Sequence, residues 1–286
     1  MVELDGRAEI SGIARLRRLF LTPAAALMLA TLVAPSAIIL VYSLLSRGAY
    51  GGVEQPFTLE NYARLFDPLY AAIFFRSIWI AAVATALCLA LGFPLALFIA
   101  RSARKNMWLM LVILPFWTSF LIRTYAWMFL LRDTGLINTA LLRIGVIHQP
   151  LAMLYNPGAV ILGLVYGFLP FAVLPLYATI ERLDPSLLEA AADLGARPWS
   201  ALWRVTIPLC APGIRAAAIL VFVPSLGTYL TSDLLGGSKT ILIGNLVQNQ
   251  FTASRDWPFG AAASVALMVF AVALLFAVRR RGEELL

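Results

Sequence analysis

The chain is poor in charge. Only 13% of its 286 residues are Asp, Glu, Lys or Arg, about half the share of an ordinary soluble domain. Its single histidine, His148, has no second histidine or cysteine near it, so no metal-ligand spacing exists and His148 reads as a solvated loop residue. The two cysteines, Cys88 and Cys210, fall within or beside apolar runs in opposite halves of the chain, which argues against a disulfide framework. No His-Glu-x-x-His, no Gly-x-Ser-x-Gly and no pair of acids in facing apolar runs offers catalytic machinery. No catalytic residue or cofactor is therefore assigned. The nearest approach to a phosphate-cradling loop, Gly236-Gly237-Ser238-Lys239-Thr240, fails because its lysine follows the serine. Any ATP chemistry belongs to another chain.

What is abundant is apolar sequence, 61% of the residues. Runs long enough to cross roughly 30 Å of hydrocarbon fall at 22–45, 71–100, 107–131, 159–180, 212–235 and 260–278. They predict an all-α, polytopic membrane protein of six spans. The first run follows Arg15, Arg17 and Arg18, but it is too long for a secretory h-region and lacks a cleavage site, so it reads as a retained span. Of the 22 Lys and Arg residues, 14 lie in the N-terminal arm, around 101–105, around 182–215 and at 279–281. The positive-inside bias then places both termini and the 182–215 region in the cytoplasm. The net charge of +7 is scattered along membrane edges, so it reports topology and implies no nucleic-acid partner. The expected organisation is a cytoplasmic arm at 1–21, a transmembrane domain at 22–280 and a cytoplasmic tail at 281–286, with no fixed-period repeat.

The external connections carry their own signals. Thr58 is placed to cap a short interfacial helix in TLENYARLF. Arg132, Asp133, Gly135 and Asn138 form a turn before 136–147, an apolar stretch too short to span. The third region, 235–258, holds a polar run at 244–255 that could face solute or a delivering protein. Pro115, Pro170, Pro175 and Pro224 are expected to interrupt spans three, four and five. Gly163 and Gly167 give span four a small-residue face for helix contact. Arg123 is the clearest polar residue within a span, on a helical face with Trp127 and Phe116 or Phe120. It is read as pairing with a carboxylate or carbonyl, as contacting solute, or as snorkelling outwards.

The most informative stretch is DPSLLEAAADLGARPWSALWRVTIPLCAP. Asp184 suits an N-cap, Pro185 a first helical position, and 187–194 is rich in helix formers. Gly195 suits a left-handed exit, and Pro198 can open a second helix towards Val205. Leu187, Ala191 and Leu194 share one stripe of the first helix, with Glu189 and Asp193 on a neighbouring one.

The order Glu189-Ala190-Ala191, three residues, Gly195, nine residues, Val205-Thr206-Ile207-Pro208 resembles the EAA loop of bacterial ABC importer permeases. PFWTSFLIRTYAWMFLLRDTGLIN, VFVPSLGTYLTSDLLGG and IGNLVQNQF with WPFGAA resemble the spermidine/putrescine-type subgroup. The resemblance implies a type I permease fold in the bacterial inner membrane, with the 183–211 loop as a coupling element. It implies two ATP-binding subunits, a second related permease and an external solute-binding protein as partners. Carried over, Glu189 is the charged contact to the ATP-binding subunit, Ala190 and Ala191 the close-packed surface, Asp193 and Leu194 its continuation, and Gly195 the turn. Trp117, Arg123, Tyr125, Trp127, Tyr229 and Asp233 are the expected pathway residues. The implied solute is a polyamine or a similar small organic solute. Thr228, where the subgroup often carries an acid, and Ser232, where it carries proline, depart from that pattern, so another small nitrogenous or phosphonate solute stays open. The contrasting reading is a membrane scaffold that transports nothing.

Overall fold

The structure is a computed structural model that describes the backbone over 3–283 and side chains over 20–278. The expected tail at 281–286 and the arginines at 7, 15, 17, 18 and 279–281 therefore lie wholly or partly outside the described residues. In chain order the helices begin with α1 (Glu3–Ser43), whose apolar part is Phe20–Ser43. A hairpin of β1 (Leu45–Arg47) and β2 (Val53–Phe57) follows, then α2 (Glu60–Arg64) and α3 (Pro68–Arg101). Next come α4 (Lys105–Ile113), a 3-10 turn at Leu114–Trp117, α5 (Phe120–Leu131), α6 (Leu136–Arg143) and α7 (Pro157–Ile180). The second half comprises α8 (Ser186–Asp193), α9 (Pro198–Ala201), α10 (Ile207–Leu209), α11 (Ala211–Gly227), α12 (Ile243–Phe251) and α13 (Trp257–Glu283).

Among the described residues, four helices are long and apolar enough to cross a membrane unbroken: Phe20–Ser43, Pro68–Arg101, Pro157–Ile180 and Trp257–Val278. Two further spans are each a bent pair, Lys105–Trp117 with Phe120–Arg143 at 89°, and Pro198–Leu209 with Ala211–Gly227 at 69°. The expected six spans hold only with each pair counted as one, and the third span is interrupted just after Pro115, as expected, although the pair continues to Arg143 rather than ending at 131. Its break has a local cause. Pro115 has no N–H to give, the Thr118 hydroxyl donates to the Pro115 carbonyl at 2.7 Å, and Thr118 and Ser119 run extended. The fifth span does not reach residue 235 either. It ends at Gly227, where the Thr228 hydroxyl donates back to the Pro224 carbonyl at 2.8 Å, and the chain continues as a π-helical turn at Ser232–Gly236. Span four, by contrast, runs unbroken through Pro170 and Pro175. Burial between α3 and α11 offsets the lost hydrogen bonds there.

The core is the packing of α3, α7 and α11. Ile80, Ala84, Cys88 and Ile99 of α3 meet Leu164, Ala172, Val173 and Leu176 of α7, with Ala217 and Val221 of α11, all buried. Cys88 and Cys210 are free and buried. Gly163 is where side-chain volume is excluded: a Cβ there would stand 2.5 Å from Leu235 Cδ1 and 2.7 Å from Thr231 Cγ2. A Cβ at Gly167 would stand 3.0 Å from the Phe120 ring. The small-residue face thus seats both broken segments on α7.

In the connections between the spans, several features differ from expectation or sharpen it. The hairpin was not expected; Gly51 and Gly52, both at positive φ, turn its tip against Arg255. Thr58 accepts from the Glu60 N–H at 3.1 Å in the turn leading into α2, whose N-cap is Leu59 rather than the expected Thr58. The polar run 244–255 is largely α12, with Ile243, Gly244, Asn245, Leu246 and Gln250 buried, rather than an open loop. Asp256 then pairs with Arg64 at 3.0 Å and accepts from the Phe259 N–H at 3.2 Å, capping α13 and tying it to α2.

Asn138 organises the segment between α5 and α7. Fully buried, it donates to the carbonyls of Arg132 and Leu151 at 3.2 and 2.9 Å and accepts from the Leu151 N–H at 2.9 Å. Asn138→Leu strands those groups at about 1–3 kcal/mol each. We expect the melting temperature of the detergent-solubilised protein to fall by at least about 4 °C; an unchanged melting temperature would contradict this account of the loop.

Candidate functional site

Two regions collect the residues singled out from sequence. The first is the loop after α7. Glu181, the residue after that helix, binds Lys105 at the start of α4 at 2.6 Å. The Lys105 ammonium, with the Tyr177 hydroxyl, holds the Glu181 carboxyl below its ordinary range. Asp184 Oδ1 accepts the Ser186 N–H at 2.9 Å, and that backbone donor lowers the Asp184 carboxyl in the same way. Helix α8 accordingly starts one residue later than the expected Pro185, which occupies its N-cap. Its far end follows the expected pattern closely. Gly195 has φ +77, the Gly195 N–H donates to the Ala192 carbonyl at 2.8 Å, and the Ala196 N–H donates to the Ala191 carbonyl at 3.0 Å. These two bonds form a Schellman motif, which a non-glycine residue fills only with backbone strain.

Pro198 opens the second helical run, which extends beyond Val205 to Leu209 through a π-helical turn at Leu202–Thr206. Ala191 is the buried residue of α8, facing this run. Leu188 points instead into a cavity of about 230 Å³ shared with Leu97, Arg101, Glu181 and Thr206. The stripe expected to pack is thus only partly packed: Ala191 is in, Leu187 is exposed and Leu194 is 89% exposed. Glu189, Ala190 and Asp193 are exposed beside it. Trp199 and Trp203, 69% and 56% exposed with ring centroids 6.2 Å apart, extend the same loop's surface. Sequence reasoning missed them, although two tryptophans four apart on a short helix were a visible signal. A self-capped helix presenting carboxylates beside apolar side chains is suited to docking on a partner protein with a basic, apolar-lined groove.

The second region joins the two breaks. Helix α5 and the turn at Ser232–Gly236 lie against each other and against α7. Trp117, at the end of the 3-10 turn, is 74% exposed, and Tyr125 and Tyr229 are half-exposed. Arg123 lies over Phe116 and Phe120, with its guanidinium carbon 5.2 and 5.6 Å from the ring centroids. Trp127, expected on the same face, packs edge-on against Tyr166 at 5.5 Å instead. Asp233 is exposed, and it forms no ion pair with Arg123 among the described residues. Asp233, a carboxylate that could have bound Arg123, thus does not supply the pairing expected of it. The Tyr229 carbonyl accepts both the Asp233 N–H at 2.8 Å and Asn245 Nδ2 at 3.1 Å, fixing the turn onto α12. Among the described residues no cluster of three or more His, Cys, Asp or Glu could hold a metal ion.

Residues 92–281 match the family described as binding-protein-dependent transport system inner membrane component. The chain is 46% identical over 254 residues to the spermidine/putrescine transport system permease protein PotB of Escherichia coli strain K12, covering 88% of this chain and 92% of that one. It is 34% identical over 244 residues to the inner membrane ABC transporter permease protein YdcU of the same strain, covering 80% and 78%. Among solved structures, the bacterial alginate ABC transporter in complex with alginate pentasaccharide-bound periplasmic protein superposes with a TM-score of 0.76 at 19% identity, covering 94% of each chain. That likeness extends the fold to both bent spans and the loop between α7 and α11. The chain belongs to the family of inner-membrane components of binding-protein-dependent transport systems.

Proposed function

We propose that this permease subunit carries a polyamine or a similar small organic solute inward, driven by ATP hydrolysed on partner chains. The observation that carries the reading is the 46% identity to PotB across 254 residues, a length that takes in nearly the whole chain. The exposed α8 supports the energy-coupling half of it. In this reading α8 seats in a groove of an ATP-binding subunit, with Glu189 meeting a basic residue and Ala190, Asp193 and Leu194 filling the contact. Gly195 sets the angle at which the second helical run leaves. A second, related permease completes the membrane pathway, an external binding protein delivers the solute, and both termini lie in the cytoplasm. Trp117, Tyr125, Tyr229 and Asp233 are the exposed aromatic and acidic groups near the breaks, a chemistry that suits an ammonium-bearing solute.

The test is uptake of labelled spermidine and putrescine into vesicles holding this chain with its ATP-binding and permease partners and binding protein. ATP-dependent uptake of either is the expected result. Assembly with an active ATPase but no polyamine uptake would overturn the substrate. A second reading, transport of another small nitrogenous or phosphonate solute, draws on Thr228 and Ser232, neither of which supplies a charge to the pathway, and the same vesicles test it by competition.

A further inference from the structure

Among the described residues, Arg123 is the charged side chain whose buried nitrogens lack a partner; the unpaired Thr231 and Thr240 hydroxyls are neutral. Among the described residues, its Nε and Nη1 are buried and reach no hydrogen-bond acceptor, and it forms no ion pair. Phe116 and Phe120 offer it ring faces, and these rings continue through Phe168 and Phe171 onto α7. Aromatic faces attract a cation but do not replace the strong acceptors that a guanidinium's five N–H groups require. The charge stays on at any relevant pH, so the guanidinium does not escape the cost by losing its proton. The two carboxylates in ion pairs among the described residues are bound to other cations, Asp256 to Arg64 and Glu181 to Lys105. Asp233, although its turn lies against α5, leaves Arg123 unpaired.

Around this cation the surface is apolar and uncovered: Trp117, Leu121, Ile122, Tyr125 and Phe129 are all exposed. They lie on a bent span, where hydrocarbon offers no acceptor and ionisable side chains face protein or a watery cavity. A cationic solute brings repulsion instead of an acceptor. The complement the site calls for is an anionic oxygen on an apolar helix.

We propose that Arg123 receives a carboxylate from a membrane helix of the second permease subunit, and that α5 with the turn before it seats that helix. The assignment rests on the reading above that the importer pairs this chain with another permease. Nε and Nη1 are enclosed, so the carboxylate meets the guanidinium at Nη2 through a charge-assisted hydrogen bond, which fixes the depth of the incoming helix as well as its affinity. The aromatic cluster beneath keeps the guanidinium in place for it.

The test uses the whole complex, purified through a tag on this chain, with Arg123→Met, Arg123→Lys and Arg123→Glu. Met and Glu variants are expected to insert normally yet bind the second permease at least about 30-fold more weakly, with a lower melting temperature of the complex. Lys should retain most of the pairing. Exchanging one membrane-embedded Asp or Glu of the second permease for Arg should restore recovery with Arg123→Glu. Unchanged recovery and melting with Arg123→Met would overturn the assignment. So would an intact complex in which only the half-saturating solute concentration shifts, since that places Arg123 on the solute's path. A wild-type chain that recovers an ATP-binding subunit but no second permease would overturn the two-permease reading itself, a result distinguishable from failure of the Arg123 contact alone.

Discussion

Glu189→Lys should abolish ATP-driven uptake while leaving the protein inserted and folded. Glu189 is exposed on the first turn of α8 and has no ion-pair partner among the described residues. Its carboxylate therefore contributes little to the fold, and substitutions at such surface positions usually change stability by no more than about 0.5 kcal/mol. At a docked interface the same change replaces attraction to a basic residue by repulsion. Losing one partner of such a charge pair costs roughly 2–5 kcal/mol, so the ATP-binding subunit should bind at least about 30-fold more weakly. Uptake and recovery of the ATP-binding subunit should fall together, whereas the melting temperature of this chain alone stays put. Wild-type uptake by the Lys variant would remove Glu189 from the coupling contact.

The second large effect is expected at Gly163→Val. Even the first carbon of a side chain at Gly163 comes to 2.5 Å from Leu235 and 2.7 Å from Thr231, well inside van der Waals contact. Overpacking a buried site costs about 1–3 kcal/mol. The strain also has a direction. Thr231 and Leu235 belong to the segment that continues the broken fifth span, so that segment is pushed away from α7 and from α5 beside it. A melting temperature lower by several degrees, about 2–4 °C per kcal/mol for a chain of this size, should accompany a loss of transport larger than the loss of folded protein. Gly163→Ala should show a smaller version of both. Wild-type melting and uptake in Gly163→Val would show that the segment's seat on α7 is not needed.

The parts of this fold that follow from local chemistry were readable in advance. Asp184, Gly195 and Pro198 act on their own neighbouring backbone groups, so the helix, turn and helix of the coupling loop emerge from residue order alone. The four unbroken spans follow from apolar length. The breaks were less legible because a proline by itself does not decide them. Pro170 and Pro175 sit in an intact α7 enclosed by other helices, whereas the third span gives way just after Pro115, where the Thr118 hydroxyl donates to the Pro115 carbonyl, and α11 runs through Pro224 to end at Gly227, where the Thr228 hydroxyl donates to the Pro224 carbonyl. That outcome depends on tertiary surroundings as well as on sequence. The hairpin at Leu45–Phe57 went unread, although Gly48, Gly51 and Gly52 signalled a turn, because its strands are short and show no alternation. Trp127 parted from Arg123 because Tyr166 on α7 offered it a ring edge, a competitor that helical spacing within one span does not reveal.

Cysteine labelling is the sharpest test of whether α8 carries ATP-driven closure into the membrane. Both native cysteines are buried, so a cysteine placed at Leu194, 89% exposed in the isolated chain, is the one readily accessible thiol. A maleimide should label Leu194→Cys quickly in the chain alone and slowly once the ATP-binding subunit is assembled, with the protection lost in the Glu189→Lys background. Equal labelling with and without that subunit, in a complex shown to be assembled, would contradict the claim.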